Sequence, residues 1–105
     1  MLVVTTPIIE GKKIVEYKGA VFSQVAEGAG FSRGLSAALR SFASGRSASH
    51  EEMVIKTREI AMAEIMEEAR KLGANAIVGL IMDYETMGQD AILMFKGAGT
   101  AVVIE

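Results

Sequence analysis

The 105-residue chain has no cysteine, one proline, one histidine and only six aromatic side chains, two Tyr and four Phe. The missing thiols exclude disulfides, thiolate metal centres and cysteine nucleophiles, and they favour a reducing compartment. Charge of one sign is lacking too: 11 basic residues face 13 acidic ones, for a formal net charge of −2. Without a dense basic stripe or many aromatics, the chain does not read as a nucleic-acid platform. No apolar run approaches bilayer length, the longest besides the N-terminus being Ala76 to Met82, and Met1-Leu2-Val3-Val4 carries no basic leader. The expectation is a cytoplasmic protein with no membrane and no nucleic-acid partner.

What is present is apolar surface. Half the residues are hydrophobic, yet a domain of this size buries only about two-thirds of what its unfolded chain exposes. One domain over residues 1–105, sharing its surplus apolar surface with copies of itself, is the expected organisation.

Residues 2–5 read as a short strand stopped by Pro7, and Glu10-Gly11-Lys12 as a turn. From Lys13 to Ala26 the odd positions Val15, Tyr17, Val21 and Val25 are apolar while Glu16, Lys18 and Gln24 alternate with them, which predicts a half-buried edge strand. Phe31, Leu35, Ala38, Leu39 and Phe42 recur at helical spacing after Gly28-Ala29-Gly30. A longer helix follows, with Ser49 and Glu52 forming a capping box and Arg70, Lys71 and Gly73 marking its end. Ala76 to Glu85, Ile92 to Phe95 and Thr100 to Ile104 are strand runs, with a turn at 87–90 and a bulge or bend at Gly97-Ala98-Gly99. The sum is an α+β fold, a β-α-α-β-β unit with helices on one face of a mainly antiparallel sheet. The last segment, apolar on both faces, belongs in the middle of that sheet.

At about 100° per residue, the long helix collects Val54, Ile55, Ala61, Met62, Ile65, Met66, Ala69 and Leu72 on one face. Arg58 falls within it. Either its stem packs and its guanidinium reaches the rim, or it is buried against Asp83 or Glu85, because an unpaired buried charge is costly. Met53 and Ile60 project from the opposite, charged side and suggest a contact with another copy.

Gly28-Ala29-Gly30-Phe31-Ser32-Arg33-Gly34 follows a strand and opens a helix, but it lacks the lysine and hydroxyl of a phosphate loop and the acid of a dinucleotide site, so it reads as a turn. Arg33 and Arg46 could flank a small anion near the helix starts. His50, beside Glu51 and Glu52, lacks a nucleophile or recognisable ligand spacing, which leaves a metal site of His50 and carboxylates as the weaker alternative. Met62 and Met66 read as core fillers. No catalytic residues are assigned, no cofactor is identified, and the balance is against an enzyme.

The ordered motifs Val4-Thr5-Thr6-Pro7, Glu10-Gly11-Lys12-Lys13-Ile14-Val15-Glu16-Tyr17, Gly45-Arg46-Ser47, Thr57-Arg58-Glu59-Ile60-Ala61, Leu72-Gly73-Ala74-Asn75-Ala76-Ile77-Val78-Gly79, Asp83-Tyr84-Glu85 and Gly99-Thr100-Ala101-Val102-Val103 resemble the YbjQ-like family of small prokaryotic proteins along the whole chain. The resemblance implies a dodecin-like β-α-β-β subunit assembled into a ring-like homo-oligomer, a pentamer, with short extra strands joining subunits. It brings a heavy-metal-binding label, which the absence of cysteine and the single histidine do not support. Gly30 and Gly34 stand where relatives carry Asn and Asp, and His50 where tyrosine is common. Arg33, Arg46 and Arg58 match. The expected function is a homo-oligomeric scaffold or a module binding a small anionic ligand in inter-subunit clefts lined by Arg33, Arg46 and the Asp83-Tyr84-Glu85 strand end.

Overall fold

The computed structural model describes residues 1–27, 50–87 and 92–105. The expected first helix over 31–42, the glycine-rich turn, Arg33, Arg46, Ser49 and residues 88–90 of the expected turn at 87–90 lie outside the described residues, while Met87 ends a strand. Four strands, β1 (Leu2–Val3), β2 (Ile14–Glu27), β3 (Ala76–Met87) and β4 (Ile92–Ile104), and one helix, α1 (His50–Lys71), make up the rest. The sheet order is β1-β3-β4-β2. β4 is antiparallel to both β2 and β3, while β1 runs parallel to β3. The fold is thus α+β, a mixed four-stranded sheet with a helix on one face. β4 occupies an interior position, as its two-sided apolarity predicts, and β2 lies at the edge.

α1 ends as its sequence dictates. Gly73 N–H donates to the Arg70 carbonyl at 2.9 Å and Ala74 N–H to that of Ala69 at 3.1 Å, a Schellman closure in which Ala69 and Ala74 also share a core cluster. Asn75 then does the work of a backbone unit. Its side-chain oxygen accepts from Ile104 N–H at 2.8 Å and its amide donates to the Ile104 carbonyl at 3.1 Å, tying the start of β3 to the end of β4.

Two clusters form the core beneath α1. Ile65 and Ala69 pack with Val21, Ile77, Leu80 and Ala101, and Ala61 packs with Val25, Leu93 and Phe95, flanked by Met53, Val54 and Ile60. Met53 and Ile60 therefore belong to the core side and are not outward-facing contacts. The single face projected from the sequence is corrected by rotation: the buried stripe passes from Met53, Thr57, Ile60 and Ala61 to Met62, Ile65, Met66 and Ala69 along the helix. A straight helix drifts against any fixed repeat, so one end of a 22-residue helix presents a different side from the other. Ile55 and Leu72, expected inside, are exposed. Thr57 takes an inside position because its hydroxyl donates to the Met53 carbonyl at 2.8 Å, leaving nothing unsatisfied.

Bulges produce the second correction. The β2–β4 register shifts between Ile14 and Glu16 and again between Tyr17 and Gly19, so the alternation read from Lys13 to Ala26 holds only from Val21 onward. Val21 and Val25 are buried, whereas Val15 and Tyr17 are exposed. The bulge expected at Gly97-Ala98-Gly99 lies instead across the ladder, in β3 between Val78 and Ile81. There Gly79 adopts φ 63°, a left-handed conformation that glycine takes without penalty.

Gly99 is needed for room. A Cβ on it would come within 2.7 Å of Ile77 Cγ2, and Ile77 is fully buried with no space to retreat. Gly99→Ala is expected to lower unfolding stability by about 1–3 kcal/mol, read as a shifted urea midpoint at unchanged slope.

Candidate sheet-face site

Because antiparallel partners point to the same side of a sheet, the register defines what lies on the face away from α1. Phe22 pairs with Ala98, and Ala98 with Ile81. One row on, Gln24 pairs with Lys96, and Lys96 with Asp83. At the other end of this face a third cluster, Ala76, Val78 and Val102, is covered by Val4, Ile9 and Ile14 from the chain's own N-terminal segment and β2. The N-terminal segment is held there by Val4 N–H to the Ile77 carbonyl at 2.9 Å and Gly79 N–H to the Thr6 carbonyl at 2.8 Å. Its cover stops short of the Phe22 row. Tyr17, opposite Val102, is 69% exposed, Phe22 66% and Ile81 72%. Small residues, Ala20, Ala98 and Thr100, separate these three. A shallow cavity of about 680 Å³ includes Phe22, Gln24, Ile81, Asp83, Lys96 and Ala98 in its lining, but Ser23 and the α1 carboxylates Glu64 and Glu68 line it too, so it is not confined to this face.

The polar end of the face carries both signs. Lys96 Nζ lies 3.7 Å from Glu85 Oε2, and Gln24 Nε2 lies 3.3 Å from Met94 Sδ. Asp83 Oδ1 accepts a hydrogen bond from Tyr84 N–H at 2.8 Å, and no lysine or arginine among the described residues pairs with it. Tyr84 itself points to the other side of the sheet, where its ring stacks on Phe95 at 5.1 Å between centroids. The Asp83-Tyr84-Glu85 strand end thus supplies two carboxylates to one face and a phenol to the other, which is what strand alternation requires.

Arg58 is exposed on α1 and forms no ion pair with a described residue. Of the two readings of Arg58, the guanidinium outside the core agrees with its exposure, and burial against Asp83 or Glu85 is corrected: the rotating stripe puts Thr57, not Arg58, inside, and Glu85 is taken by Lys96. Arg58 remains a candidate contact residue. His50 opens α1. Among the described residues no group of three or more His, Asp or Glu side chains could hold a metal ion. No helix among them is long and apolar enough to cross a membrane.

The family comparison agrees with the motifs. Residues 1–105 match the YbjQ family model, described as "Putative heavy-metal-binding". The chain belongs to the YbjQ family. UPF0145 proteins of Listeria monocytogenes serotype 4a (strain HCC23) and Listeria innocua serovar 6a are each 47% identical to this YbjQ chain over 106 residues, covering 100% of it and 96% of their own length. A crystal structure of a protein of unknown function from Pediococcus pentosaceus, described as a member of the DUF74 family, superposes with a TM-score of 0.64 at 18% identity, covering 100% of this chain and 98% of its own. At that identity the likeness concerns the fold. The biochemical function of the YbjQ chain is not established by these relatives.

Sequence reasoning missed Phe22, Ile81 and Tyr17 as surface groups. Phe22 sits at an even position of a strand read as apolar on its odd ones, and that was the available signal.

Ser23 lies on the other side of β2, 7% exposed, and its hydroxyl finds no hydrogen-bond partner among the described residues. A buried hydroxyl without a partner costs the desolvation of that group. Ser23→Ala is therefore expected to leave stability unchanged or raise it by up to about 1 kcal/mol, measured by thermal melting; a clear loss would show that the hydroxyl is hydrogen-bonded in solution.

Proposed function

We propose that this YbjQ chain acts as a self-associating scaffold whose sheet face opposite α1 is covered by a second copy, within a closed ring of the dodecin-like kind. Five copies is the number its family resemblance implies. One observation carries the reading: Tyr17, Phe22 and Ile81 stand on the same face of the sheet, each more than half exposed. Scattered apolar side chains are ordinary on a surface, but three large ones around a small-residue floor form a patch of the kind that marks an association site. Asp83, Glu85 and Lys96 add charges of both signs at its end, so the face is not biased toward a strongly basic or acidic partner. β2 supports the reading from the side, with eight residues, Ala20 to Glu27, in unbroken register with β4 and no strand among the described residues on their outer edge.

The ligand-binding form of the reading depends on Arg33 and Arg46, which lie outside the described residues, so the scaffold form has the fuller support. A small anion between subunits remains part of the proposal only through those arginines. The metal reading rests on the family description and on His50 with carboxylates. Elemental analysis of untagged protein showing one metal ion per chain, lost on His50→Ala, would favour it over the scaffold.

For the scaffold, native mass spectrometry of untagged protein is expected to show an oligomer, and the double substitution Phe22→Ser with Ile81→Ser to release monomers. Loss of such central apolar groups weakens an interface by about 2 kcal/mol or more each. A wild-type monomer at all concentrations would remove the proposal.

A further inference from the structure

The family description names heavy metals, and the donors that this chain holds divide sharply between hard and soft. Zinc is held by thiolates, imidazoles and carboxylates. The sequence has no cysteine and one histidine, and residues 28–49 and 88–91 add a single carboxylate, Asp90. Among the described residues no three His, Asp or Glu side chains could share a metal ion. That donor set does not fit a divalent heavy metal. Soft donors are another matter, because the same 105 residues include seven methionines, and thioether sulfur suits monovalent copper.

Three of the seven flank one cluster. Met62, Met66 and Met82 are each half-buried and pack against the core group that includes Val21, Ile65, Ala69 and Ile77. Met62 and Met66 are four residues apart and so neighbour each other on α1. Met82 reaches under α1 from β3: its methyl lies 2.9 Å from where a Cβ on Gly97 would stand, and Ile65 Cδ1 lies 3.7 Å from the same point. Ile65 belongs to the helix turn that Met62 and Met66 bound. Gly97 thus leaves the room that the Met82 side chain uses. At the second cluster Met53 and Met82 are the thioethers among the described residues, with no third beside them, and Met94 accepts from Gln24 on the face opposite α1. We propose that Met62, Met66 and Met82 form a thioether site for a soft monovalent ion, copper(I) or its redox-inert analogue silver(I), and that the heavy-metal description applies to this chain through them. Methionine fills irregular core gaps, so the same side chains complete the packing of the metal-free protein. Half-burial suits both roles, since it holds the side chains in the core and leaves the sulfurs within reach of an ion. The inference is independent of self-association.

Methyl NMR tests the site. Untagged protein isotope-labelled in its methionine methyl groups would be titrated with silver(I), zinc and cadmium nitrates in chloride-free buffer. Exchanges of Met for Leu conserve volume, so Met62→Leu, Met66→Leu and Met82→Leu are expected to fold, which circular dichroism melts establish, and Met94→Leu serves as the control. Silver(I) should move the methyl signals of Met62, Met66 and Met82 and leave that of Met94 in place, while zinc and cadmium move none of them. Each of the three exchanges should weaken silver binding roughly tenfold or more, since even an outer-shell partner is worth that much to a metal site, and Met94→Leu should not. Silver(I) that shifts Met94 as readily as the three, or that binds equally well to the three variants, overturns the site, as does the lack of any shift with silver in excess. Stoichiometric binding of zinc or cadmium would overturn the assignment too, by returning the family description to His50 and carboxylates. These shifts can be read in a monomer or an oligomer, so no outcome touches the scaffold reading.

Discussion

A four-stranded sheet has two faces, and the described chain supplies one helix. That shortage governs the molecule. α1 buries the side formed by Val21, Val25, Ile77, Leu80, Leu93, Phe95 and Ala101, and the N-terminal segment covers only the end of the other side around Val78 and Val102. Between that cover and the polar row at Lys96, no other described element lies over the face. Shape follows from the same arrangement: the principal extents are 47 × 21 × 21 Å, and a 14-residue strand rising about 3.3 Å per residue accounts for the long dimension.

Local chemistry made much of this legible from the residues. The end of α1 is written in Arg70, Lys71 and Gly73, and the interior place of β4 in its apolarity on both sides. Edge placement of β2 could be read from Glu16, Lys18 and Gln24, whose charges and amide would be costly inside. These features are decided within a few residues of one another. The family motif around Leu72 to Gly79 proves to be an instance: it holds the helix closure, the Asn75 clamp on Ile104 and the Gly79 bulge in one stretch.

What could not be read depends on elements meeting one another. The bulges in β2 change the side that Tyr17 faces and take up Val15, and nothing in Val15 or Tyr17 announces them, since their alternation with Glu16 and Lys18 fits an unbroken strand equally well. Likewise the side that α1 buries is set by its course across a twisted sheet. That rotation took Arg58 out of the core, brought Met53 and Ile60 into it, and made Thr57 a buried residue. The candidate site was legible in part: Asp83 and Glu85 do share a face, and surplus apolar surface was expected, but Phe22 and Ile81 emerge only when three strands are in register. The arginines Arg33 and Arg46 lie outside the described residues.

The central claim is that the sheet face opposite α1 is a buried surface in the working protein. Hydroxyl-radical footprinting of Phe22 in untagged wild-type protein tests it most directly, because a phenylalanine 66% exposed in the subunit should oxidise readily unless something lies over it. Strong protection of Phe22, lost when the protein is dissociated but still folded, is the result this account predicts; oxidation at the rate of a freely exposed phenylalanine in the native protein would contradict it.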